Sequence, residues 1–154
     1  MLNDLINMEK RLLPLIPLLI LMGCRPSGNV QRVSEAGYDF GELSAYTITG
    51  GDTDAASLTG FEHDKFHVLF VRSAREFLNA RGFREVNPDD AEAPQEADIV
   101  MRYTLRETLI ITIMDAETRR LIWRGESAAE FTGADLNQES IDGFVRKILS
   151  GFPG

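Results

Sequence analysis

The chain has 154 residues, 44% hydrophobic and 26% charged, the balance of one ordinary globular domain. That excludes a disordered tail, a collagen-like fibre and a multi-span membrane protein. Against 24 Asp and Glu stand 16 Lys and Arg, a net charge of −8; such a chain has no general attraction for nucleic-acid phosphates, and no nucleic acid is expected among its partners.

Lys10 and Arg11 precede a nearly unbroken apolar run over residues 12–22, and Gly23 and Cys24 follow it. A basic n-region, a short apolar h-region and a small residue at the cut form a secretory signal. A helix over those residues spans about 16 Å, roughly half the hydrocarbon core of a bilayer, too short for a stable transmembrane helix. Translation from Met8 is an alternative to Met1. The junction Leu21-Met22-Gly23-Cys24 resembles the lipobox of bacterial lipoproteins. The resemblance implies cleavage between Gly23 and Cys24, diacylglycerol on the Cys24 sulfur and further acylation of the new amine. Two or three acyl chains give a stable anchor where one does not. Cys24 is the only cysteine, so no disulfide can form within the chain. Arg25 follows it rather than Asp, which in the enterobacterial sorting pattern favours the outer over the inner membrane.

Residues 25–36 contain Pro26, Ser27, Gly28 and Asn29 and read as a tether running into a first strand; ten flexible residues reach about 18 Å. Residues 45–49 form a short strand, broken by Gly50-Gly51-Asp52-Thr53-Asp54. Asp52 and Asp54 lack the remaining ligands of a Ca²⁺ loop and suit a solvated turn. Phe66, Phe70, Ala74, Phe77 and Leu78 recur at helical spacing within residues 61–81, and Gly82 suits a left-handed cap. Residues 83–86 read as a strand and 87–90 as a turn. Ala97, Ile99, Met101, Tyr103 and Leu105 alternate with polar residues, as do Leu109, Ile111 and Ile113. Residues 105–108 are either a hairpin turn without Gly, Asn or Pro or a bulge in one long strand. Asp115-Ala116-Glu117-Thr118 forms a turn, after which Leu121, Trp123, Gly125, Ala129 and Phe131 share a face. Ile141, Phe144, Val145, Ile148 and Leu149 mark a closing helix over residues 138–150, capped by Asn137. The expected fold is α+β: a mostly antiparallel sheet of four to five strands with two helices packed on one face, a two-layer sandwich.

Three stretches resemble a bacterial lipoprotein family known only as domain of unknown function 4136 (DUF4136): residues 97–103, the hairpin of residues 108–125 ending in Trp123-Arg124-Gly125, and residues 145–153 with their closing Phe152-Pro153. Tyr103 here lies almost against Thr108, where the family carries a longer polar stretch. The resemblance implies fold and location but supplies no activity and no catalytic residues. Residues 1–23 are then the lipoprotein signal peptide, 24–36 the lipidated Cys and tether, and 37–154 a single α+β domain.

Two features bear on chemistry. His63 and His67, at i and i+4, could hold Zn²⁺, with Asp64 at the position of the catalytic Glu in His-Glu-x-x-His proteases and Glu62 or a distant carboxylate completing the site. The competing reading is an ordinary helix start whose acids favour the positive end of the dipole. Val100, Ile110, Met114 and Ile122 carry the solvent-facing parity of the central strands, and clustered they would form an apolar partner surface. The expectation is a non-enzymatic lipoprotein of the outer membrane, facing the periplasm, held by its N-terminal lipid with no cofactor beyond it, and binding another envelope protein. The alternatives are a small metal-dependent hydrolase using His63 and His67, and a carrier with an apolar cavity for lipid or another small ligand between helices and sheet.

Overall fold

The computed structural model describes residues 30–53, 58–87 and 97–153. In chain order these form β1 (Gln31–Ser34), a 3₁₀ turn at Phe40–Glu42, β2 (Ala45–Ile48), β3 (Asp52–Thr53), α1 (Gly60–Ala80), β4 (Arg84–Glu85), β5 (Ile99–Leu105), β6 (Leu109–Asp115), β7 (Leu121–Glu126), a 3₁₀ turn at Gly133–Asp135, and α2 (Gln138–Leu149). β1 falls within residues 24–36, the stretch expected to be a tether, and pairs antiparallel with β7.

The seven described strands make one open sheet in the order β1-β7-β6-β5-β2-β4, with β3 continuing along β5 beyond β2. The α+β class is as expected, but the sheet is larger and mixed. Strands β5, β6, β7 and β1 run antiparallel, whereas β2 and β3 lie parallel to β5, and β4 parallel to β2. The cause is connectivity. A parallel pair needs a long crossover, and α1 supplies it between β2 and β4. Short strands such as β3 and β4 carry too few residues to show their partner in the sequence.

Alternation on β5 to β7 builds the core. Ile99, Met101, Tyr103 and Leu105 share a face with Leu109, Ile111 and Ile113 of the paired β6, and these with Trp123 and Gly125 on β7. Against that face pack Phe66, Phe70, Ala74 and Leu78 of α1 and Ile141, Val145, Ile148 and Leu149 of α2, all buried. Phe66 and Phe70 stand 5.2 and 4.5 Å from Tyr103, ring centre to ring centre. Gly125 leaves room for Ile148 and Trp123, whose atoms would lie 2.5 Å from a Cβ there.

The helix ends follow local chemistry. Thr59 and Glu62 form a capping box at the start of α1, with the Thr59 amide donating to the Glu62 carboxylate at 2.8 Å. Gly82 ends the helix at φ +88, and the Phe83 amide reaches back to the Leu78 carbonyl at 3.1 Å. Asn137 caps α2 by accepting from the Ser140 amide at 2.9 Å.

The junction at residues 105–108 is a hairpin. Leu105 and Leu109 face each other across a three-residue connection, and Arg119 is the only non-glycine with positive φ among the described residues. Three residues avoid the strained pair of positive φ angles that a two-residue turn would require. The Phe131 amide donates to the Glu107 carbonyl at 2.7 Å and holds the loop. Asp52 and Thr53, expected in a solvated turn, form β3 instead, while Asp54 lies outside the described residues.

Candidate functional site

Gly23 and Cys24, the expected cleavage and lipidation residues, lie outside the described residues. Among the described residues no helix is long and apolar enough to cross a membrane.

The four residues expected to make an apolar partner surface do not form one. Val100, Ile110 and Ile122 are only 5%, 8% and 1% exposed, and Met114 is partly buried. Val100 and Ile110 sit on central strands with both lateral neighbours filled: Thr47 and Met114 flank the first, Thr104 and Glu126 the second. Ile122 is displaced by a bulge. Leu121 pairs with Met114 and Trp123 with Ile113, so Ile122 is the extra residue, and it joins the core. The same bulge turns Leu121 outward, 48% exposed, against the parity expected for it. The exposed apolar residue of the sheet edge is Val33 on β1, 64% exposed and opposite Arg124.

His63 and His67 lie one turn apart on α1. The His63 Nδ1 is 3.6 Å from the Asp64 carboxylate, and the His67 Nδ1 is 3.0 Å from the Tyr103 hydroxyl. The Glu62 carboxylate, expected as a third donor, is held by Thr59, whose hydrogen bonds lower its pKa. Among the described residues no three or more His, Cys, Asp or Glu side chains gather as a metal-binding set. The layer between helices and sheet, where a carrier would need its cavity, is filled by Tyr46, Phe66, Phe70, Tyr103 and Trp123.

A cleft of about 370 Å³ opens instead between α1 and α2, lined by Ser73, Glu76, Phe77, Ala80 and Arg81 of α1 and Asp142 and Arg146 of α2. Phe77, expected in the core, is only partly buried because it lies along the groove between the helices. Its ring carries the Arg81 guanidinium 4.8 Å from its centre, and Arg81 also donates to the Phe152 carbonyl at 2.6 Å. The floor is polar. Gln138 Nε2 donates to Asp142 Oδ1 at 2.6 Å and to the buried Ser73 hydroxyl at 3.0 Å, and Ser73 is itself bonded to Asp142 Oδ1. Glu76 is paired with Arg72 at 3.2 Å. Periodicity could not reveal this cleft: Asp142 and Arg146 read as the solvated face of an amphipathic helix, and only the docking of α1 makes them walls.

Architecturally this is an α+β domain with an open mixed sheet under a layer of two helices. Residues 93–154, which take in β5, β6, β7 and α2, match the family model described as domain of unknown function DUF4136, the family the sequence resembles. No curated protein matches the chain. Among solved structures, two dodecamers of PelC from Paraburkholderia phytofirmans, one of them a point variant, match at 12% and 13% identity with TM-scores of 0.52 and 0.53. A DUF4136 family protein from Bacteroides thetaiotaomicron matches at 9% identity with a TM-score of 0.54. Each match covers 80% of this chain and 95% of the other. At these identities the likeness is one of fold.

Proposed function

We propose that this protein is a lipoprotein of the outer membrane, anchored through Cys24 with its domain facing the periplasm, and that it serves the envelope as a non-enzymatic binding or structural component. The observation that carries the reading is Leu21-Met22-Gly23-Cys24 behind a basic, apolar leader, with the chain's only sulfhydryl a few residues ahead of β1. Residues 25–30, fully extended, would reach roughly 20 Å, so the domain would stay close to its membrane. The contact surface is the β1 edge, whose four residues are all exposed, rather than the centre of the sheet. An open edge strand with an exposed Val33 can pair with another chain. The dodecamers among the structural neighbours support a multi-copy arrangement as the form in which the edge is used.

Metabolic labelling with a palmitate analogue tests the anchor. The wild-type chain is expected to take up label and fractionate with the outer membrane, and Cys24→Ser to lose both. A wild-type chain that takes up no label, or a Cys24→Ser chain that fractionates unchanged, defeats the proposal.

A further inference from the structure

The α1–α2 cleft carries a charge arrangement that the proposed envelope role does not use. Of its four charged groups, Glu76 is paired with Arg72, and Arg81 is engaged by the Phe152 carbonyl and the Phe77 ring. Asp142 and Arg146 remain. They stand at i and i+4 on α2, where side chains meet readily, yet no ion pair joins them. The reason lies in the floor: Ser73 and Gln138 both hold Asp142 Oδ1, which fixes the carboxylate's direction and leaves Oδ2 without a hydrogen bond among the described residues. The cleft therefore presents an anchored acceptor and an unengaged cationic donor about one helical turn apart, beside the partly open Phe77 ring and Ala80.

We infer that this cleft binds a small zwitterion, an α-amino acid with an apolar side chain, its ammonium on Asp142, its carboxylate on Arg146 and its side chain against Phe77. A zwitterion gives both groups a partner, whereas a ligand with only one charge would meet Asp142 or Arg146 and not the other. The volume lies at the small end of the about 300–1,000 Å³ typical of ligand pockets, which suits a single residue rather than a peptide. The binding step is non-covalent, and Ser73, bonded to Leu69 and Asp142, serves as scaffold.

Calorimetric titration of the detergent-solubilised full chain with L-leucine and L-phenylalanine tests this, with leucinamide and 4-methylpentanoate as half-ligands of leucine lacking the carboxylate or the ammonium, and phenylalaninamide and 3-phenylpropanoate as those of phenylalanine. Saturable binding of at least one amino acid is expected. Affinity should fall at least tenfold for its half-ligands, and by a similar factor in Asp142→Asn and in Arg146→Gln. Arg146 is exposed, so Arg146→Gln should keep the wild-type circular dichroism spectrum and melting temperature and remain a fair test should Asp142→Asn misfold. No saturable binding of either amino acid at millimolar concentration overturns the inference. So does a half-ligand that binds as tightly as its parent amino acid, or full affinity retained in Arg146→Gln. Lipidation and fractionation are read separately through Cys24, so failure here leaves the anchor proposal standing, and the reverse.

Discussion

At the scale of single residues, buried hydroxyls and close backbone contacts give the sharpest expectations. All three tyrosines hold their protons more tightly than free tyrosine. Burial, then the hydrogen bond to Asp115, pushes Tyr38 up to about 12, and burial, then the nearby Glu85 charge, does the same for Tyr46. Burial raises Tyr103 as well. A group whose pKa is raised by folding contributes stability that is complete below its unfolded value, near 10 for tyrosine, and lost as pH climbs through the folded value. Alkaline unfolding is therefore expected in the window from about 10 to 12. Tyrosinate absorbance should appear together with the loss of secondary structure, and a tyrosine ionising near its ordinary value in the intact fold would contradict this. The acid side has the opposite sign. Burial works against the Asp98 carboxylate, but hydrogen bonds from the Ser44 and Ala45 amides, both 2.8 Å, and from the Ser44 hydroxyl outweigh it and lower its pKa. Its contribution is present above the unfolded value near 3.9 and fades as pH falls through the lower folded one. Gly51 is a steric case: a Cβ there would collide with the Tyr103 carbonyl oxygen and lie 2.5 Å from its ring. Gly51→Ala should cost roughly 1–3 kcal/mol, read as a lower denaturant midpoint at unchanged slope.

At the scale of elements, α2 shows how a helix is finished by a distant strand. Arg32 of β1 donates to the Lys147 carbonyl at 2.8 Å, the Ile148 carbonyl at 3.3 Å and the Ser150 hydroxyl at 3.0 Å. The guanidinium thus sits at the negative end of the helix dipole, on carbonyls the helix itself leaves unsatisfied. Gly151 makes the approach feasible, since a Cβ there would collide with the Arg32 side chain. Arg32→Ala is expected to cost about 1–2 kcal/mol and to raise amide exchange selectively in the last turn of α2; uniform protection along α2 would refute the clamp. Inside the same helix Gly143 is exposed, and a Cβ placed on it would meet nothing within 4 Å. Gly143→Ala should stabilise by roughly 0.5–1 kcal/mol, seen as a higher melting temperature. The extent of both helices is legible in their apolar stripes, and so is the Asn137 cap. The Thr59-x-x-Glu62 box is readable too, as a Ser/Thr-x-x-Glu signature just ahead of an apolar stripe.

At the scale of the molecule, one edge of the sheet is formed by β1 and the other by the two-residue β4. The proposed pairing of copies runs through β1, the longer of the two. Val33 is exposed, and its substitution should change monomer stability by no more than about 0.5 kcal/mol. Val33→Glu is thus expected to lower the oligomer mass seen by light scattering while leaving the melting transition of the fold in place. An unchanged mass would remove the β1 edge from the proposal. The interior offers no comparable freedom, because the two helices bury a continuous apolar layer against β5, β6 and β7.

Local pattern determined a great deal by itself: the acidic composition, the lipobox-like junction at Cys24, both helices, the inward faces of β5 and β6, and the resemblance to DUF4136 that residues 93–154 bear out. Those features depend on neighbours a few residues apart, and periodicity records them directly. Tertiary structure alone decided the parallel pairing of β2, β3 and β4, the bulge that sends Ile122 inward and Leu121 outward, the burial of Val100 and Ile110, and the cleft between Asp142 and Arg146 on one side and Phe77 on the other. Each of these depends on which strand or helix lies alongside, and that choice is made by contacts between residues far apart in the chain, where no short-range repeat can register it.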